Sequence, residues 1–158
     1  MRLIQFALFV LFAFVLSSCE KESVKLVPLD LLSEGLSLKI NAPEGAIVIS
    51  NDLFIMKDVT VRDSAGYNLQ IFETEASSLN ASTITDRLVE EIENSAFYDS
   101  MISREEDGFI YKKVIDENYI NYDFRHVKVR GEKQFVMQAG LTTTYTLDQI
   151  EIMYNSVK

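Results

Sequence analysis

Residues 98–138 read YDSMISREEDGFIYKKVIDENYINYDFRHVKVRGEKQFVMQ, and this stretch decides the fold class. Two turn signals divide it. Glu105-Glu106-Asp107-Gly108 separates a strand around Tyr98 to Ser103 from one at Phe109 to Ile115. Gly131-Glu132 separates a long strand, Tyr119 to Val129, from Gln134 to Gln138. Short runs of β-branched and aromatic residues bounded in this way predict hairpins, and strands joined by tight turns are antiparallel. Along the long strand Ile120, Tyr122 and Phe124 share one parity while Val127 and Val129 take the other. That switch predicts a β-bulge near Arg125-His126.

Working outward, the same grammar recurs upstream. Leu36, Leu38 and Ile40 alternate with Ser37, Lys39 and Asn41, the period-2 mark of a half-buried strand. Pro43-Glu44-Gly45 is a turn, Ala46 to Ile49 a short apolar run, and Phe54 to Arg62 a further strand. Asp63-Ser64-Ala65-Gly66 then turns the chain into Tyr67 to Phe72. Two segments change period. Ile84, Leu88, Ile92 and Ala96 recur every four residues behind Thr83, a candidate N-cap, and predict an amphipathic helix over 84–96. Thr146-Leu147-Asp148-Gln149 matches a capping box, followed by the stripe Leu147, Ile150, Met153, Tyr154 and Val157 of a C-terminal helix. The expectation is an α+β domain: an antiparallel, meandering sheet covered by two helices.

The N-terminus carries an address. Arg2 precedes an unbroken apolar run from Phe6 to Leu16, too short to span a bilayer but suited to a signal peptide. Leu16-Ser17-Ser18-Cys19 closely resembles the bacterial lipobox, and Cys19 is the one cysteine of the chain. That resemblance implies cleavage before Cys19 and lipid on its sulfur and amine. Two or three acyl chains, each CH₂ contributing roughly 0.8 kcal/mol, make such an attachment effectively permanent. The expected organisation is a signal peptide over 1–18, the lipidated Cys19 and a tether over 19–35, and one globular domain over 36–158. The location implied is the cell envelope, with the chain held on its membrane by Cys19.

Composition narrows the partners. Removing residues 1–18 takes away Arg2 and no acid. One fewer than 15 basic residues then faces 24 acids, for a formal net charge of −10. An acidic chain without Lys/Arg clusters excludes nucleic acid as a partner and argues against a basic patch on anionic lipid.

Two loose motifs carry a family resemblance. Asn41-Ala42-Pro43-Glu44-Gly45, ending a strand, and Tyr145-Thr146-Leu147-Asp148-Gln149, entering the last helix, resemble the PsbP/Mog1-like superfamily, which includes bacterial envelope lipoproteins. Members usually place a large aromatic after the Pro-x-Gly turn, where Ala46 stands here. Val27-Pro28-Leu29-Asp30 ahead of the first strand is similar to a group of envelope lipoproteins. The resemblance implies a fold that hosts binding and assembly more often than chemistry.

The catalytic inventory is thin. His126 is the sole histidine, no G-x-S-x-G elbow is present, and an ordinary hydrogen-bonded strand histidine is expected. One histidine and a lipidated cysteine do not make a zinc site. Asp116-Glu117-Asn118 with Asn121 and Asp123 offers oxygens for calcium but lacks the EF-hand spacing and glycine, and reads as a turn. No metal, cofactor or catalytic residue is therefore assigned. The carboxylate pairs Glu73/Glu75 and Glu90/Glu93 read as solvated faces. The first is what an alternative, a carboxylate-dependent envelope hydrolase, would use. Asp63-Ser64-Ala65 and Asp99-Ser100-Met101 match an envelope O-glycosylation pattern, and Ser64, in a turn, is the better acceptor. Tyr119, Tyr122, Phe124 and Phe135 would line a ligand groove only if the sheet were left uncovered. The functional expectation is a non-enzymatic, membrane-anchored domain that docks a partner protein or ligand.

Overall fold

The computed structural model describes residues 24–117, 119–141 and 143–158. The expected signal peptide, Cys19 and residues 20–23 lie outside them. Strands β1 (Leu26–Asp30) and β2 (Lys39–Pro43) form a two-stranded antiparallel ribbon around a 3-10 turn at Leu32–Glu34. Next come β3 (Ile47–Asp52), β4 (Lys57–Arg62), β5 (Asn68–Glu75) and helix α1 (Ala81–Glu93). Strands β6 (Tyr98–Arg104), β7 (Gly108–Asp116), β8 (Tyr119–Arg130) and β9 (Lys133–Ala139) lead to helix α2 (Leu147–Val157). The seven strands from β3 on make one sheet in the order β3-β4-β5-β9-β8-β7-β6, antiparallel throughout. Two meanders are thus stitched together by β5 against β9. The protein is an α+β domain with the expected antiparallel sheet and two helices.

The helices lie on opposite faces. Alternate residues of β7 report this: Ile110 joins the core beneath α2, with Phe124, Ile150 and Tyr154, whereas Phe109 and Tyr111 pack with Val89 of α1. The C-terminal stripe is buried as its spacing requires, and the Thr146/Gln149 capping box is formed. The β1–β2 ribbon joins α2 on the same face, burying Leu31, Leu36, Leu38 and Ile40.

Four expectations change. The tether expected over 19–35 is folded from Leu26 onward, because Pro28 and its neighbours pair with β2 and Leu31 is fully buried. Helix α1 starts three residues early, on Asn80, whose Oδ1 accepts from Ser82 N at 3.0 Å. It ends before Ala96. The bulge expected near Arg125-His126 is absent. The register there is regular against β7 and β9, and the irregularity falls between Val114 and Asp116. Apolar residues change parity in β8 because both of its faces are covered, which the one-face rule does not allow for. Finally β4 begins at Lys57 rather than Phe54, which leaves residues 53–56 as a turn.

Candidate docking surface

The chain enters the described structure beside the β4–β5 turn. Val24 lines a small recess with Ala65, Gly66, Tyr67, Gln149, Ile152 and Met153. The Asp63 side chain pins that turn, its Oδ1 accepting from Ala65 N and Tyr67 N, each at 2.9 Å. Ser64, the candidate O-glycosylation acceptor, is exposed at its tip. Ser100, in the second match, sits half-buried in β6, its Oγ donating to Asp99 Oδ2 at 2.8 Å.

The β3–β4 turn lies at the other end of β4. Leu53, Phe54 and Ile55 form its apex, 52%, 99% and 80% exposed. The turn is held rather than loose. Phe54 N donates to Asp52 Oδ1 at 3.2 Å, Leu53 N to Met56 O at 2.9 Å and Ile55 N to Leu53 O at 2.8 Å. Phe54 takes φ +69°, the left-handed region that costs an L-residue roughly 1–2 kcal/mol. Neither burial nor backbone comfort accounts for a fully exposed phenylalanine there, and such strain is often kept at functional positions.

Beneath the apex lies an open recess of about 170 Å³, lined by Asp52, Phe54, Ile55, Met56, Lys57, Glu73 and Lys133. Lys57 Nζ also donates to Glu34 O at 2.8 Å, tying the β1–β2 turn to this end. Glu73 stands opposite Lys57 and Glu75 opposite Lys133 in the strand register. These two carboxylates therefore face lysines across the strands rather than sharing a desolvated cleft. Glu90 and Glu93 are exposed on α1.

Strand β3 leads into the apex and is one edge of the seven-stranded sheet. Only Val48 is half-buried, and Ile47 and Ile49 are 58% and 38% exposed.

No family model matches this chain, and no curated protein matches it.

Two buried polar clusters lie away from this surface. Asp123 accepts from Tyr111 Oη at 3.0 Å, Lys113 Nζ at 2.9 Å and Phe124 N at 2.8 Å, and pairs with Arg125 Nη1 at 3.2 Å. Burial pushes its carboxyl up, but Arg125 and Lys113 outweigh this and hold it below the usual range. Its oxygens are thereby committed to lysine, arginine and tyrosine. Among the described residues no group of three His, Cys, Asp or Glu is placed to hold a metal ion.

His126 is the second case, and it departs from expectation. The ring is buried against Tyr154, and neither nitrogen has a hydrogen-bond partner; Asp107 Oδ1 is 3.8 Å from Nδ1. Burial pulls its pKa down to about 4, with Lys128 and Lys158 adding to the effect and Asp107 and Glu105 opposing it. The imidazole is a neutral core group at pH 7. Of the aromatics considered for a groove, Phe124 and Phe135 are fully buried, Tyr122 half-buried and Tyr119 exposed, so they do not line one surface.

Sequence reading missed the apex. Leu53-Phe54-Ile55-Met56 contains no Gly, Pro or Asn, so Phe54 onward reads as strand; the turn formers Ser50, Asn51 and Asp52 stand just before it.

Proposed function

We propose that this protein is a lipid-anchored docking domain of the bacterial cell envelope, held by Cys19 and presenting the Leu53–Ile55 apex to a partner protein. The observation that carries the reading is the pinned, strained and fully exposed Phe54 at the end of the sheet opposite the point where the chain enters. Four residues lie between Cys19 and Val24, and the five Cα–Cα steps that join them reach at most about 18 Å. The five steps along β4 extend a similar distance, about 17 Å. A domain tethered so closely directs its β4–β5 end toward the membrane and its apex away from it. The lysines opposite Glu73 and Glu75 favour docking over the hydrolase alternative, since each carboxylate faces a lysine across the strands rather than a second carboxylate.

The test is a photocrosslinking amino acid at position 54 or at position 64 in cells, with acyl labelling of Cys19 followed in parallel. The expected result is a discrete protein adduct from position 54, absent from position 64. Lipid adducts from position 54, or full acyl labelling in Cys19→Ala, would overturn the reading.

A further inference from the structure

The cluster around Asp123 holds more positive charge than it neutralises. Lys113 of β7 and Arg125 of β8 pair with the same oxygen, Asp123 Oδ2, at 2.9 and 3.2 Å, and among the described residues neither pairs with a second carboxylate. Tyr111 Oη donates to that oxygen too, and burial holds the phenol protonated, so it brings no negative charge. Two cations thus share one carboxylate and leave a surplus of one positive charge. Their side chains are only 21% and 13% exposed, and both cations lie 5.6 Å from the centre of the Tyr111 ring. Water screens a surplus in such a setting poorly.

The neighbouring side chains do not remove it. Asn121 stands opposite Lys113 in the strand register, and its Oδ1 is taken by Tyr145 N at 2.7 Å. Arg125 and Gln138 come one step on from the His126–Met137 pair of β8 and β9, and Gln70 of β5 is opposite Gln138. Amides supply hydrogen bonds and no charge. A chain with 24 acids places amides here, where a single Asp or Glu would have closed the cluster.

Arg125 also keeps an open edge. Its Nη1 is spent on Phe124 O at 2.7 Å and on Asp123. Its Nε and Nη2 make no hydrogen bond to any described residue, and they are not sealed off as the nitrogens of His126 are. That edge is the pair of parallel N–H donors that a carboxylate accepts with both oxygens. The Nη1 contacts fix the guanidinium, so the fork is set before anything binds.

We infer that Arg125 and Lys113 form a binding site for the carboxylate group of a small polar ligand, on the sheet face that α1 only partly covers and separate from the Phe54 apex. The surplus sets the charge of the ligand group. A carboxylate brings one negative charge and neutralises the cluster, whereas a phosphate monoester brings about 1.5–2 and overshoots it in an already acidic chain. Gln138, donating to Gln70 Oε1 at 3.3 Å, continues the row and offers its amide to the polar remainder of the ligand.

The experiment uses the full acylated chain in uncharged detergent micelles at constant ionic strength, with sodium acetate as the probe. Arginine Nε–H signals and the backbone N–H signals of 111–125 are followed by NMR. The expected result is a shift of the Arg125 Nε–H that saturates, half-complete near about 10 mM acetate. Lys113→Met removes the surplus but leaves the fork and the Arg125–Asp123 pair, and should weaken acetate at least tenfold. Arg125→Lys keeps the charge without the fork, and should weaken it as much by the backbone signals. A shift that grows with acetate without saturating, or equal binding by Lys113→Met, would overturn the site. Tighter binding of inorganic phosphate than of acetate to the unaltered chain would overturn the carboxylate assignment, and that comparison stands even where a variant fails to fold.

Discussion

On one face of the sheet, α2 and the β1–β2 ribbon close over an apolar layer of twenty buried residues among those described. On the other, α1 covers only the β7–β8 side, with Val89, Phe109 and Tyr111 as its buried apolar centre. Over β3, β4 and β5 that second face is uncovered. Gln138 Nε2 donates to Gln70 Oε1 at 3.3 Å and Gln70 Nε2 to Asp58 Oδ2 at 3.2 Å, a polar ladder where the sealed face has valines and leucines. The contrast separates two duties. The sealed face holds the fold together, and the open side, with edge β3 and the apex, is free to meet something else.

The hardest test of this division is to remove α2. Truncation after Thr144 strips Ile150, Met153, Tyr154 and Val157 from the sealed face, each contributing roughly 1.5–3 kcal/mol. That sum is comparable with the whole stability of a domain, about 5–15 kcal/mol. The truncated chain should lose its cooperative thermal transition. A melt near the full-length midpoint would mean that α2 serves an interface and not the fold.

A matched pair of alanines sharpens the comparison within neighbouring strands. Ile71→Ala, in β5 and fully buried on the sealed face, should cost about 2–5 kcal/mol in urea unfolding. Ile49→Ala, exposed on the open face, should cost less than about 1 kcal/mol. Equal costs would show that the open face is as structural as the sealed one.

The sealed face also has an acid weakness at His126. Its pKa is near 4 when folded and 6.5 when unfolded, so the unfolded chain binds the extra proton between those values. The stability tied to the neutral ring is complete above pH 6.5 and is lost as pH falls toward 4, by up to about 3 kcal/mol. His126→Leu should flatten the pH dependence of the urea midpoint across that window. An unchanged slope would show that Asp107 already compensates the buried ring.

The smallest effect is expected at the apex. Phe54→Gly relieves the left-handed strain and removes no buried contact, so stability should rise by up to about 1 kcal/mol. A loss of stability would show that Phe54 packs and that the apex is part of the fold.

The sequence was legible where one face decides a residue's fate. The α2 stripe and its capping box, the Pro43–Gly45 and Gly131-Glu132 turns and the antiparallel hairpins follow from period, cap and turn chemistry. These are local and survive in any packing. It was misleading where both faces are covered: the parity switch in β8 reads as a bulge from one side and is ordinary strand once α1 and α2 sandwich it. Thr83 was a sound cap by residue type, but Asn80 captured the amide of Ser82 three residues earlier.

What the sequence alone determined is therefore the class of fold, its two helices and most of its turns, because these rest on neighbours close in the chain; the resemblance of Leu16–Cys19 to a lipobox motivates the anchor reading. Tertiary structure decided which strands became edges, that the β1–β2 ribbon belongs to the core, that His126 is sealed without a partner, and that Phe54 stands free. The reason is physical: burial is set by what packs from elsewhere in the chain. An apolar run such as Leu53 to Met56 carries no local mark of whether anything will come to cover it.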